Sequence, residues 1–92
     1  MPTFEIGRAR ITPGALDRPG EEGAIELLER HVAGGWGDPE PGDRRANEQA
    51  LRSGARLLSA YDTPAGRIWI VTDAAGDDGH RAATTILTPE EY

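Results

Sequence analysis

The sequence predicts one α+β domain spanning residues 1–92, in which a three- or four-stranded antiparallel sheet carries two short helices on one face. A chain of 92 residues suffices for one hydrophobic core and is too short for two. Apolar residues recur at helical spacing in its first half and alternate with a period of two in its second half. Glycine and proline separate these segments and so predict where each element ends.

The first helix is predicted over residues 21–32, where apolar side chains recur at helical spacing. Glutamates at its start suit the positive end of the helix dipole, and Gly34-Gly35 ends it. A helical turn is expected just before it, with Thr12 as the N-cap and Pro13 in the first position. The apolar positions of the helix are Ala24, Ile25, Leu28 and Val32.

The second helix is predicted over residues 44–53, with Asp43 as its N-cap and Gly54 as the residue that ends it. Between the two helices, residues 34–42 contain four glycines and two prolines. This composition predicts a loop, which carries Trp36. The Trp36 ring is expected either to pack on the helices as a lid or to offer a stacking surface to a ligand.

Three strands joined as an antiparallel meander are predicted in the second half of the chain, over residues 56–62, 67–73 and 80–87. Another strand, with a bend near Gly7, is expected within residues 4–11. The middle strand of the meander is apolar on both faces, because Trp69 and Val71 alternate with isoleucines.

Two short helices cover only one face of such a sheet, so the other face needs a cover of its own. The N-terminal strand and a second copy of the protein are the two candidates for this cover. We therefore expect a homo-oligomer with Trp69 and Val71 at its interface.

Composition excludes several classes of protein. The absence of cysteine excludes disulfides, zinc fingers and cysteine nucleophiles. No apolar run approaches the roughly 18 residues of a membrane span, and the N-terminus does not resemble a signal peptide, so a cytoplasmic protein without membrane contact is expected. No motif for a metal or an organic cofactor is present, and none is expected to bind.

Charge is unevenly distributed along the chain. A net charge of −6 argues against direct nucleic-acid binding, which a basic surface drives by counterion release. Residues 21–43 carry seven acids and one arginine, whereas residues 44–67 carry five arginines and two acids. Such runs are commonly solvated helix surfaces, and the alternative is an arginine cluster that holds an anion.

The candidate ligand-binding residues follow from this basic block and from a hydroxyl pair. Arginine side chains and threonine hydroxyls hold phosphate oxygens, and an aromatic ring stacks on a base. The predicted set is Trp36, Arg56, Arg81, Thr84 and Thr85. His31, with Asp38 as partner, is a weaker candidate for a general base, because a histidine near a helix C-terminus is commonly stabilised by the helix dipole.

Several segments also resemble a family of small plasmid-related proteins that occur on plasmids, phages and integrated elements. The likeness runs from about residue 27 to residue 92, and its C-terminal block is the most specific part. The block departs from the family pattern at Ala82, where a serine is expected, and in a longer insertion over residues 74–80. The matching segments are Gly35-Trp36-Gly37-Asp38, Gly54-x-Arg56-Leu57-Leu58-Ser59, Ile68-Trp69-Ile70-Val71-Thr72 and Thr84-Thr85-Ile86-Leu87-x-Pro89-Glu90-Glu91-Tyr92.

This resemblance implies a mobile-element setting, in which small proteins interfere with host defence by binding a protein or by sequestering a nucleotide signal. The leading expectation is therefore a non-enzymatic protein that captures an anionic small molecule. One alternative is an inhibitor whose acidic helix docks on a basic host factor. Another is a small hydrolase that uses His31 and Asp38.

Overall fold

The computed structural model describes residues 4–92 and confirms the α+β class. Three helices precede a three-stranded meander, and a short strand opens the described chain. The elements are β1 (Arg8–Ile11), α1 (Pro13–Asp17), α2 (Gly20–Val32), α3 (Pro41–Ser53), β2 (Leu57–Thr63), β3 (Gly66–Thr72), β4 (Ala83–Leu87) and a C-terminal 3₁₀ turn (Pro89–Glu91).

The four strands form one mixed sheet in the order β1-β4-β3-β2. β2, β3 and β4 are antiparallel neighbours, as the sequence predicts. β1 pairs with β4 in parallel, which corrects the expectation of an entirely antiparallel sheet. The connection from β1 to the meander passes through all three helices, and long helical crossovers of this kind are what join parallel strands.

Three element boundaries differ from the prediction by three residues or more. The first strand begins at Arg8, because the backbone bends at Gly7, where φ is +64°. α3 begins three residues earlier than predicted, so Glu40 occupies the N-cap position and Asp43 lies in the first turn. β4 begins at Ala83, because His80 precedes an isolated bridge and does not belong to the strand.

The main core lies between α2 and one face of the sheet. Ala24 and Leu27 of α2 pack against apolar side chains of β2, β3 and β4. α3 lies along the outer edge of β2, where the Asn47 side chain accepts from the Leu58 N–H at 2.9 Å and donates to the Leu58 carbonyl at 2.6 Å. The loop before α3 continues this cover, since Ala60 exchanges backbone hydrogen bonds with Trp36 and Asp38.

The opposite face of the sheet, here called the open face, has no helix packed across it in residues 4–92, although Glu40 and Asp43 at the start of α3 border a depression beside Leu58, Ala60 and Trp69. Its side chains come from alternate positions of β2, β3 and β4. The C-terminal turn and Tyr92 cover part of it, and the N-terminal strand lies in the sheet instead of over this face, contrary to one of our two expectations. The open-face residues are Leu58, Ala60, Trp69, Val71, Thr85 and Leu87.

Within residues 4–92, no helix is both long enough and apolar enough to cross a membrane.

Candidate functional site

The open face brings together four of the predicted site and interface residues. Thr85 of β4 pairs with Val71 of β3, and Trp69 lies two residues before Val71 on the same face. Arg56, just before β2, reaches this face through its contact with Tyr92. Val71 is buried, whereas Trp69 and Thr85 are half-buried and so accessible from solvent.

Two aromatic rings and a guanidinium form the centre of this site. The rings of Trp69 and Tyr92 meet edge to face with centroids 5.4 Å apart. The Arg56 guanidinium lies 5.5 Å from the centroid of the Tyr92 ring and donates a short hydrogen bond to its hydroxyl. Tyr92 is 62% exposed, so a planar ligand can reach its ring.

A depression of about 250 Å³ adjoins these rings, lined by Val71, Thr85, Leu87, Glu91 and Tyr92. Glu91 is a negative charge at its rim. Its carboxylate accepts hydrogen bonds from Thr12, Gly14 and Thr88, and these bonds lower the pKa of Glu91 to about 2. The charge is therefore present at neutral pH and is already engaged in joining the C-terminal turn to α1.

Two further arginines lie on the open-face side of β1. Arg8 pairs with Ala83 and Arg10 pairs with Thr85, and paired residues of neighbouring strands share a face. Both side chains are exposed, and neither has an ion pair within the described residues. The sequence does not single out Arg10 or Tyr92, because their places at this face depend on the position of β1 and on the fold of the C-terminal turn.

Arg81, a predicted phosphate ligand, lies outside the open face and is 7% exposed. Its guanidinium donates to the backbone carbonyls of Ala55, Asp73 and Ala50 at 2.7, 2.9 and 3.0 Å. The last of these carbonyls belongs to the C-terminal turn of α3, where the helix dipole favours a cation. Arg81 thus joins α3 to the end of β3.

Trp36 is also inside the molecule, at 2% exposure. Its ring packs between Phe4 and His31, with centroid distances of 6.0 and 5.7 Å. Its indole N–H donates to Glu48 at 2.7 Å. The Trp36 ring therefore packs on the helices as a lid, and it is not exposed as a stacking surface for a ligand.

A chain of buried hydrogen bonds crosses the helix-covered face of the sheet. Ser59 Oγ lies 2.6 Å from His31 Nδ1, and His31 Nε2 lies 2.8 Å from Thr72 Oγ1. Thr72 and Thr84 share a hydrogen bond of 2.7 Å, and Thr84 donates to the carbonyl of Ile6 at 2.8 Å. Because a carbonyl only accepts, each hydroxyl donates onward in turn, so His31 donates from Nε2 and accepts from Ser59 at Nδ1.

This chain leaves His31 neutral and enclosed. Burial, with a smaller contribution from the charge of Arg81, lowers the pKa of His31 to about 4. Both ring nitrogens contact hydroxyls, and Asp38 is exposed and is a partner of neither nitrogen. Ser59 resembles a nucleophile beside a base, yet both residues are fully buried and out of reach of a substrate.

Within residues 4–92, no group of three or more histidine, cysteine or acidic side chains is arranged to hold a metal ion. Comparisons of the chain with protein-family models, with curated proteins and with solved structures find no significant match. The resemblance to plasmid-related proteins therefore stays a prediction.

Proposed function

We propose that the protein is a non-enzymatic binding protein, and that its open face captures an anionic ligand that carries an aromatic group, of the nucleotide class. The observation that carries this proposal is the contact of Trp69, Tyr92 and Arg56 on a sheet face without a helix packed across it. Sequestration of a nucleotide signal, which the resemblance implies, requires binding alone.

The chemistry of the site fits each part of such a ligand. A base or similar ring can stack on Tyr92, since aromatic stacking tolerates many ring types. The Arg56 guanidinium supplies a charge and several donors for phosphate oxygens, and the half-buried Thr85 hydroxyl supplies another donor. Glu91 repels an anion at the rim of the depression, so we place the phosphate toward Arg56.

The burial of Ser59 and His31 supports the non-enzymatic part of this proposal. Their contact is the only serine–histidine hydrogen bond within residues 4–92, and both side chains are fully buried. A hydrolase that used this pair would need the pair to reach solvent. We therefore assign the pair to folding and the open face to binding.

Calorimetry against a panel of linear and cyclic nucleotides tests the proposal. We expect saturable heat for at least one ligand, and an affinity about tenfold lower in Arg56→Gln, because a charge-assisted hydrogen bond is lost. Arg18→Gln removes an exposed arginine of the α1 region and is the matched control, with unchanged affinity expected. Absence of heat for the whole panel at millimolar ligand would rule the proposal out.

A second candidate function rests on α2. Glu22, Glu26 and Glu29 are exposed on this helix, together with Ile25, whose side chain is 48% exposed. Such a surface suits a basic protein partner with an apolar centre. A pull-down from the native host at low and high salt tests it: a stoichiometric partner retained by the wild type but lost in a variant with all three glutamates changed to glutamine supports this function. Equal capture by both proteins refutes it.

A further inference from the structure

The outer edge of β1 has no neighbouring strand among residues 4–92. The Arg8 N–H donates to the Ala82 carbonyl at 2.9 Å, and the Thr12 N–H donates to the Ile86 carbonyl at 3.0 Å. In a parallel pair, alternate residues bond to the neighbouring strand. The backbone N–H and C=O groups of Ala9 and Ile11 therefore point away from β4, and within residues 4–92 no hydrogen bond reaches them.

The two edges of the sheet differ in this respect. The edge of β2 is closed by the Asn47 side chain and by the backbone of Trp36 and Asp38, as described above. No described segment closes the edge of β1 in the same way. Unpaired edges are templates for another strand, and proteins commonly cover those that have no partner.

An apolar groove of about 420 Å³ lies beside this edge, on the face that carries the helices. Leu16 and Ile25, at 50% and 48% exposure, are the most exposed apolar side chains in the described part of the chain after Tyr92. Ala9 and Ile11 form the floor of the groove next to the free backbone groups. Glu21 is the acidic residue at its border.

The other side of the same edge is basic. By strand register, Arg8 and Arg10 lie on the open-face side, and Arg10 also borders the apolar groove. Both are exposed, and neither has an ion pair in residues 4–92. A strand added beside β1 would thus place alternate side chains in two different surroundings. One set would enter the apolar groove, and the other set would lie beside two arginines.

We propose that β1 binds an extended segment of a partner protein as a fifth strand, and that this segment alternates acidic and apolar residues. Its backbone would pair with Ala9 and Ile11, its apolar side chains would contact Leu16 and Ile25, and its carboxylates would pair with Arg8 and Arg10. Backbone pairing supplies affinity in this mode of recognition, and the alternating side chains supply specificity.

A second copy of this chain fits the edge poorly. Antiparallel pairing of two β1 strands in one continuous sheet matches residues of the same face. Every such register that pairs more than one residue of β1 sets an arginine of one copy against an arginine of the other, because Arg8 and Arg10 occupy alternate positions. Like charges directly opposite each other destabilise a strand pair.

Fluorescence anisotropy with a labelled peptide in which glutamate and valine alternate tests the proposal. The control peptide has the same composition, with its glutamates in one block and its valines in another, and we expect it to bind at least about tenfold more weakly. Amide exchange gives a second readout. The N–H groups of Ala9 and Ile11 should exchange more slowly with peptide bound, whereas that of Arg10 should not change.

Variants of β1 distinguish backbone pairing at the strand edge from nonspecific peptide binding. Ala9→Pro removes a backbone N–H that points away from the sheet and breaks no hydrogen bond of the sheet. We therefore expect this variant to fold and to lose peptide binding. Ala9→Ser keeps the N–H and should bind the peptide as the wild type does. A variant with Arg8→Glu and Arg10→Glu should prefer a peptide that alternates lysine and valine. This change of peptide preference tests the proposed binding at β1 even if Ala9→Pro fails to fold.

Three outcomes would overturn the inference: equal affinity for the alternating and block peptides, full binding by folded Ala9→Pro, or a β1-dependent dimer that excludes the peptide. Ala9 lies on the helix-covered face, opposite the proposed nucleotide site, so Ala9→Pro should leave nucleotide titrations unchanged. Failure of either proposal can therefore be recognised without the other.

Discussion

His31 lies at the C-terminal end of α2, where a helix dipole favours an imidazolium, and yet it is held neutral. Its two ring nitrogens contact hydroxyls, and Phe4 and Trp36 pack against the ring edge to face. Desolvation outweighs the dipole here, because no carboxylate compensates for the buried charge. The sequence offers His31 as a candidate base or as a histidine stabilised by the helix dipole, whereas its role as a buried core residue depends on contacts that only the fold creates.

The neutral state of His31 predicts an acid-sensitive fold. Burial lowers the pKa of His31 from 6.5 to about 4, so the unfolded chain binds more protons between these values. Stability should fall by about 3 kcal/mol as the pH drops from 6.5 to 4. Urea unfolding at several pH values measures this loss, and His31→Gln should flatten the profile.

His80 provides the internal control for that measurement. Its contact with Glu5 raises the pKa of His80 and lowers the pKa of Glu5. A raised histidine pKa stabilises the fold at acidic pH, which is opposite in sign to the effect of His31. His80→Gln should therefore leave the acid-induced loss in place. A profile that His80→Gln flattens and His31→Gln does not would contradict this assignment.

Arg81 predicts a second effect at the scale of one residue. Arg81→Lys keeps the charge but cannot bond three carbonyls in the fork geometry of a guanidinium. We expect a loss of about 3 kcal/mol in the free energy of unfolding and unchanged nucleotide affinity in the folded fraction. Lost affinity with unchanged stability would restore Arg81 to the ligand site that the sequence suggests.

At the scale of elements, the local signals predict most of the fold. Helical spacing in residues 21–32 and the period of two in Ile68-Trp69-Ile70-Val71 locate α2 and β3. The direction of β1 was not predictable, because local patterning carries no information on how a long crossover returns to the sheet. For the same reason, the position of Arg10 at the open face could not be predicted, because it follows from the pairing of β1 with β4.

Residue 37 lies against the closed edge of β2, and we expect that only glycine fits at this position. Its φ is +75°, and a β-carbon there would overlap the carbonyl oxygen of Ala60. Gly37→Ala should destabilise the fold by more than about 2 kcal/mol. Gly34→Ala is the matched control, since its φ is +85° with nothing within 4 Å of the added carbon, and only the strain of about 1 kcal/mol remains. Thermal unfolding of both variants compares the two costs, and equal losses would refute the steric explanation.

At the scale of the whole molecule, the C-terminal turn reduces the apolar surface that a second copy could cover. Val71 is 8% exposed, and Tyr92 packs on the half-buried Trp69. The sequence predicts a homo-oligomer on the ground that both sheet faces are apolar. The packing of the C-terminal turn on Trp69 was not predictable, because that contact joins residues far apart in sequence.

Removal of this cover tests self-association through the open face. Tyr92→Ala exposes Trp69, and we expect a larger fraction of oligomer than in the wild type, measured by sedimentation over a range of concentrations. Tyr92→Phe keeps the ring contact and is the matched control. A Tyr92→Ala protein that stays as monomeric as Tyr92→Phe would count against Trp69 and Val71 as an interface.

In the described part of the chain, the edge of β1 has no partner, whereas the edge of β2 is covered at Leu58 and Ala60, and this asymmetry limits what the molecule can build. A fibre grows when each subunit offers two complementary surfaces, one to the subunit before it and one to the subunit after it. Here Asn47 and residues 36–38 occupy the far margin. If a strand joins at Ala9 and Ile11 as we propose, it would therefore terminate the assembly, and the protein would cap a growing β-structure instead of extending it.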